Sequence, residues 1–348
     1  MFTLLFVMLI AVAVGVSGVL VYQRYLGFAD TAMTGIEDGE TLVVASGDTL
    51  PKVLRKLRAL GVESRDFEWR ALARQMGAAG KIQIGEYALE PGMTPRELLA
   101  RMRDGKVLSY KFTIVEGWNI RDLRAALAKA TPLKQEGAQL DDAMLMRTLG
   151  LGGQHPEGRF LPETYQYTRN DNDLDVLKRA AAAMEKALAE AWASRDKGLP
   201  LQTPYEMLTL ASIVEKETGA PEERPQIAGV FVRRLNVPMR LETDPTVIYG
   251  MGSAYSGNIR KTDLRTDTPY NTYTRDGLPP TPISMPGRAA LQAVAHPAPG
   301  DAIFFVAIGD GSGRHVFTRT YAEHKIAVAD YLKRYRAQRA REQEVPAQ

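Results

Sequence analysis

Residues 210–219 read LASIVEKETG, with two glutamates flanking a lysine at the end of an apolar stretch. A carboxyl group carried into apolar surroundings loses hydration. That disfavours its charged form and raises its pKa toward the range a general acid needs near neutral pH. Helix register decides which of the two glutamates is so placed. Met207, Leu210, Val214 and Glu217 recur at i, i+3, i+7 and i+10, and Ile213 lies one turn before Glu217. Glu215 sits about 200° round the helix from Glu217, on a face with Leu208, Ala211 and Ser212, a weaker apolar setting. The register selects Glu217 as the candidate acid. The competing reading is a glutamate at a helix end that reaches solvent or a salt bridge. Thr218-Gly219 is expected to end the helix, with glycine near the left-handed terminal position.

Other chemistry-bearing residues give weaker signals. Asp244, in RLETDPTVIYG (240–250), is either a second carboxylate or a helix cap beside Pro245. Tyr249, Tyr255, Tyr270 and Tyr273 offer flat faces and hydroxyls suited to a sugar, and the same pattern describes half-buried tyrosines of a β region. His155, His296, His315 and His324 have neither HExxH nor paired spacing, and cysteine is absent, so no metal site is expected. GxSxG, P-loop and dinucleotide fingerprints are missing too, and no cofactor is expected. A net charge of +3 over 348 residues, without a long Lys/Arg block, argues against nucleic acid as a partner.

The elements that must position these residues come in chain order. Residues 1–22 hold no charged side chain and are long enough to cross a bilayer core as one helix. A cleaved signal peptide is the alternative, but it needs a basic start and a shorter apolar core. The expected organisation is an anchor (1–24), a linker (25–40), an α+β region (41–130), a mixed catalytic domain (131–335) and a polar, frayed tail (336–348). Arg24 alone would weakly favour a cytoplasmic side for the residues beyond the span.

Three segments, 43–57, 87–102 and 112–127, each read strand, Gly turn, cap, helix, with Thr49, Thr94 and Asn119 as N-caps. Pro95 and Glu97 complete a capping box with Thr94. An Ala-rich helix is expected over 173–192, with Leu177, Ala181, Met184, Leu188 and Ala191 on its apolar stripe. Further helices are expected at about 205–217 and 222–235. Strand and turn signals dominate 236–320, including TVIYG and a hairpin turning at GDGSG, and a helix at 321–335 closes the fold. The fold class is α+β, with the catalytic helices preceding a β-rich segment.

The blocks ASIVEKETG, RLETDPTVIYGMG, YNTYTRDGLPPTPISMPG, AHPAPGDAIFFVA and HVFTRTYAEH, with VEGWNIRDL and EGRFLPETY upstream, occur in an order that resembles the YceG-like (MltG) endolytic murein transglycosylases. The resemblance spans nearly the whole chain and is weakest over 25–80 and the tail. It implies a LysM-like, glycan-binding subdomain in the N-terminal region and a catalytic domain for peptidoglycan. It puts the catalytic glutamate at Glu217, in EKET, where Glu217-Thr218 is similar to the Glu-Ser/Thr pair of other lytic transglycosylases. The cut would fall between MurNAc and GlcNAc within nascent strands and leave 1,6-anhydro-MurNAc ends, which would terminate elongation. The soluble part would face the cell-wall side of the inner membrane, against the Arg24 argument, with penicillin-binding peptidoglycan synthases as partners.

By motif position, Tyr249, Asn271, Thr272, Tyr273 and Asp244 are the expected substrate contacts. Two departures stand out: Glu163 where relatives more often carry Asp, and Glu242 where they often carry Gln. Two other readings stay open, a hydrolase using Glu217 with Asp244 and a peptidoglycan-binding scaffold without catalysis.

Overall fold

The computed structural model describes residues 2–63 and 65–344, and the last part of the expected tail, 345–348, lies outside them. The chain divides into two compact units. The first comprises Met1–Tyr110, Thr131–Lys134 and Gln166–Asp171, and the second Lys111–Ala130, Gln135–Tyr165 and Asn172–Gln348. The division falls at Tyr110 rather than at the expected 130/131. Residues after Tyr110 are tied into the second unit by backbone bonds, among them Gly117 N–H to Met285 O and Met285 N–H to Trp118 O.

The first unit begins with α1 (Phe2–Ala29). Its stretch Phe6–Ala29 is long and apolar enough to cross a membrane. Most of its large side chains, such as Phe6, Leu9 and Val14, stand exposed, with no protein core against them. β1 (Thr41–Val44), α2 (Leu50–Ala59), α3 (Asp66–Gln75), β2 (Gly85–Ala88) and α4 (Pro95–Asp104) come next. β1 and β2 pair antiparallel, from Thr41 opposite Ala88 to Val44 opposite Gly85. Alternation along β1 buries Leu42 and Val44 against Val53, Leu54, Leu57, Trp69 and Leu98 of the helices.

Each expected cap occupies its position, but their chemistry differs. Thr94 and Glu97 form the full capping box. Thr49 makes no side-chain cap bond. The neighbouring Asp48 does the local work, accepting from Ala45 N–H at 2.8 Å and pairing with Lys52 at 2.7 Å. Glu86, 2% exposed, accepts two bonds of 2.8 Å from Arg169, with Thr41 and Tyr110 donating as well. These donors hold its carboxyl down at about 2 against the effect of burial.

The second unit holds β3 (Tyr110–Thr113) from its second residue on, α5 (Ile120–Leu127), α6 (Asp142–Thr148) and the first two residues of β4 (Thr164–Tyr167), with β3 pairing β4. Asn119 caps α5 through a reciprocal box with Asp122. Then come α7 (Asp173–Ser194), α8 (Pro204–Glu217), α9 (Arg224–Asn236), α10 (Asp244–Met251), α11 (Lys261–Arg265), α12 (Arg288–Ala295), the hairpin β5 (Phe304–Ala307) and β6 (His315–Thr318), and α13 (Tyr321–Glu344). The α7 stripe is buried as its periodicity requires, and it packs with α9 and α12 around α8.

Segment 236–320 departs from expectation. Among the described residues it holds three α-helices, a short 3-10 helix (Gly252–Ala254) and one hairpin, so the β-rich reading is corrected. TVIYG is helical within α10. Asp244-Pro245 opens the helix with a φ already suited to it, and burial of Val247 overrides the β preference of the run. α13 also continues to Glu344, through most of the expected frayed tail.

Candidate active site

α8 is where the two glutamates separate. Thr203 caps it by accepting from Glu206 N–H, and Pro204 starts its first turn. Its end is set by Thr218, which turns extended at φ −140° and ψ 137°, so the helix stops without a left-handed glycine. The Thr218 hydroxyl accepts from Ala220 N–H at 2.9 Å and is spent there, not on Glu217.

Every residue of α8 from Met207 to Glu215 is buried, so the weaker apolar face expected around Glu215 is covered as well. Glu215 is the more enclosed of the two. Its carboxylate accepts from Arg224 Nη2 at 2.8 Å and from Gly287 N–H at 2.9 Å. Burial pushes its pKa up against both of these. With both oxygens engaged, it ties α8 to the start of α9 and to the N-terminus of α12.

Glu217 is held differently. It is only partly exposed and lines a cleft of about 390 Å³ with Arg234, Glu242, Asp244, Tyr273, Phe304 and His324. Among the described residues its hydrogen-bonding side chain is Thr243, whose hydroxyl donates to Oε1. Burial raises its pKa, Thr243 holds it down, nearby Asp244 raises it and Arg234 lowers it, with the balance at about 7. Register thus picked out the glutamate that lines the cleft, but the larger difference lies in the partners: Glu215 has a guanidinium and Glu217 a hydroxyl.

Thr243 is itself anchored. Its N–H donates to Thr272 Oγ1 at 3.0 Å, and its carbonyl accepts from the Thr246 hydroxyl at 2.7 Å. The preceding Glu242 has φ 48°, the only positive φ on a non-glycine among the described residues. Its side chain opens to the cleft, 3.9 Å from Arg234. Such a conformation costs about 1–2 kcal/mol. The turn it makes brings Thr243 under Glu217.

The structure sorts the expected substrate contacts into three groups. Asp244 and Tyr273 share the Glu217 cleft, where the Tyr273 hydroxyl donates to Asp244 at 2.7 Å. Asn271 and Thr272 lie beneath it, 1% and 2% exposed. The Asn271 amide donates to the carbonyls of Asp263, Leu264 and Thr266, and Thr272 supports Thr243, so both build the floor rather than face a ligand. Tyr249 lines another cleft, and its hydroxyl donates to Glu157 at 2.9 Å.

Glu157 escaped sequence reasoning. It is 0% exposed, accepts from Ile120 N–H at 3.1 Å, and burial pushes its carboxyl up to about 7. Its motif EGRFLPETY was visible, but no periodicity marks the first residue of a loop as buried.

The YceG-like family model matches residues 42–330. The chain belongs to the YceG-like family. The endolytic murein transglycosylase of Bacillus subtilis (strain 168) is 30% identical over 316 residues, covering 85% of this chain and 86% of that protein. The endolytic murein transglycosylase of Streptococcus pneumoniae serotype 2 (strain D39 / NCTC 7466) is 32% identical over 181 residues, 51% of this chain and 32% of that one. A crystal structure of a putative YceG-like protein from Listeria monocytogenes is 26% identical, with a TM-score of 0.53, covering 82% of this chain and 98% of the other.

Proposed function

We infer that this YceG-like chain is an endolytic lytic transglycosylase that cuts the β-1,4 bond between MurNAc and GlcNAc within peptidoglycan strands. The observation that carries this reading is Glu217 in its cleft, poised at about 7 with a hydroxyl rather than a cation as its partner. At neutral pH such a carboxyl is close to half protonated, which suits a group that must give a proton and take one back. Protonated Glu217 donates to the glycosidic oxygen and the C1–O bond breaks, leaving oxocarbenium character on the MurNAc ring. The 6-hydroxyl of the same sugar attacks C1, its proton passes to the Glu217 carboxylate, and the acid is restored. One carboxylate suffices because the nucleophile belongs to the substrate, unlike the two-carboxylate glycosidases.

A second reading, hydrolysis with Asp244 as base or nucleophile, draws on Asp244 lining the same cleft. The test is to incubate the full-length protein with uncrosslinked glycan strands and read the product ends by mass spectrometry. Internal fragments ending in 1,6-anhydro-MurNAc support the transglycosylase. Reducing ends would transfer the assignment to the hydrolase, and strand binding without cleavage would leave a scaffold.

The rest of the reading concerns placement. The exposed apolar α1 supports a single-pass anchor in the inner membrane, with the catalytic unit on the cell-wall side. The two helices between antiparallel β1 and β2 support a LysM-like, glycan-binding subdomain in the first unit. An enzyme so tethered would act on nascent strands beside the penicillin-binding synthases and terminate their elongation.

A further inference from the structure

Two pairs of consecutive residues straddle a ridge. Glu217 and Asp244 line the cleft already described, while their chain neighbours Lys216 and Pro245 line a second cleft of about 480 Å³. Consecutive Cα atoms are about 3.8 Å apart, so the two clefts adjoin across the end of α8 and the first turn of α10. A polymer whose scissile bond lies at Glu217 must continue past that ridge.

The second cleft carries a positive group beside an aromatic ring. The Arg121 guanidinium lies 6.0 Å from the centroid of the Tyr249 ring. That ring is pinned by its hydroxyl bond to buried Glu157. On the other side, a Cβ on Gly252 would come within 3.0 Å of Arg121 Nη1, and φ there is +58°, so this glycine leaves the space the guanidinium uses. Lys216 projects into the same cleft, its Nζ 3.3 Å from Gly117 O. Among the described residues neither cation has an ion-pair partner. The one carboxylate in the cleft wall, Asp122, is turned back onto the Asn119 N–H at 3.1 Å.

We propose that this second cleft is a substrate subsite for a carboxylate, taken by Arg121 and Lys216 on the strand flanking the scissile bond. The inference rests on the glycan-cleaving reading above and adds what the strand must carry. A planar guanidinium suits a carboxylate, and the neighbouring ammonium adds charge without demanding geometry. Murein offers that group in two forms: the carboxylates of a stem peptide, and the lactyl carboxylate that is freed when the peptide is removed.

The test uses the full-length protein and uncrosslinked strands, with stem peptides intact or removed by an amidase. Wild type is compared with Arg121→Gln, with Arg121→Gln/Lys216→Gln, and with Arg121→Lys as a charge-keeping control. The double variant is expected to raise KM about tenfold with kcat within about twofold, the upper end of what two exposed charge contacts supply. In a Glu217→Gln background, the same pair of substitutions should weaken strand binding by a similar factor, with no cleavage involved. A KM difference seen only on intact strands assigns the subsite to the stem peptide, one seen only on stripped strands assigns it to the freed lactyl carboxylate, and one seen on both shows that the subsite takes either carboxylate. Unchanged KM and unchanged binding on both strands overturn the subsite. Reducing-end products from wild type, with the binding loss intact, would sink the lytic chemistry and leave the subsite standing.

Discussion

The hydroxyl of Thr243 donates to the Glu217 carboxylate from 26 residues further along the chain, while adjacent Thr218 bonds only its own loop. The side-chain partner of the acid is therefore supplied by tertiary structure, through a turn locked by Thr246 and Thr272.

Removing that donor has a signed consequence. The hydroxyl favours the charged form of Glu217, so Thr243→Val raises the Glu217 pKa further above about 7. The alkaline limb of kcat/KM, where the acid loses its proton, then moves to higher pH. kcat falls about tenfold, the low end for a hydrogen bond to a charged group, because the carboxylate formed in the first half of the reaction is no longer supported. Thr243→Ser should restore both. A pH–rate profile that does not move with Thr243→Val would contradict this role.

The two glutamates should fail differently. Glu217→Gln keeps the shape and removes the proton, so anhydro-ended products disappear while the melting temperature holds. Glu215→Gln leaves Arg224, 9% exposed, without its main partner. It should cost about 2 kcal/mol, below the usual cost of breaking a buried pair. Two facts reduce it: burial already opposes the Glu215 charge, and Glu116 stays 3.4 Å from Arg224. Product ends made by the folded fraction should be unchanged. Calorimetry and product analysis on the two variants separate the roles.

Glu86 and Arg169 make an acid-sensitive clasp in the first unit. The Glu86 carboxyl is depressed to about 2 from an ordinary 4.5, so its contribution is fully present above about pH 4.5 and is lost as pH falls toward 2. Arg169→Ala should cost about 3 kcal/mol at neutral pH, the lower end for a broken buried pair, because Arg169 is 40% exposed. It should also flatten the acid limb of stability. Denaturant melts at pH 7 and pH 3 measure both, and a variant with an undiminished acid limb would refute the clasp.

Glu242 is a place where the fold stores strain. Glu242→Gly relieves the positive φ but loosens the unfolded chain, for a net gain of about 0.5–1 kcal/mol. Glu242→Ala keeps the strain and should gain nothing. Equal midpoints for the two variants in urea would show that the turn is not strained.

Local chemistry was legible and long-range enclosure was not. Thr94 and Asn119 act within three residues of themselves, so the Thr94 capping box and the Asn119 cap could be read directly from the chain. The α7 stripe was readable for the same reason, since one covered face leaves a 3.6-residue period. α8 is covered on every side from Met207 to Glu215, which erased the contrast between the two faces, and the glutamates differ instead in their partners and in the cleft that Glu217 lines. α10 was misread because Val247, Ile248 and Tyr249 carry β preference, while the Asp-Pro start and burial decide for helix. Glu157 and Thr243 owe their surroundings to segments far away in sequence, and no local pattern announces that.

Because α8 is the most enclosed helix of its unit, its amides from Met207 to Val214 should exchange with solvent only when the whole unit opens. The acid is thus mounted on a rigid post rather than on a lid or hinge. Warming should leave the rate climbing until the unit itself melts, so inactivation and unfolding share one temperature.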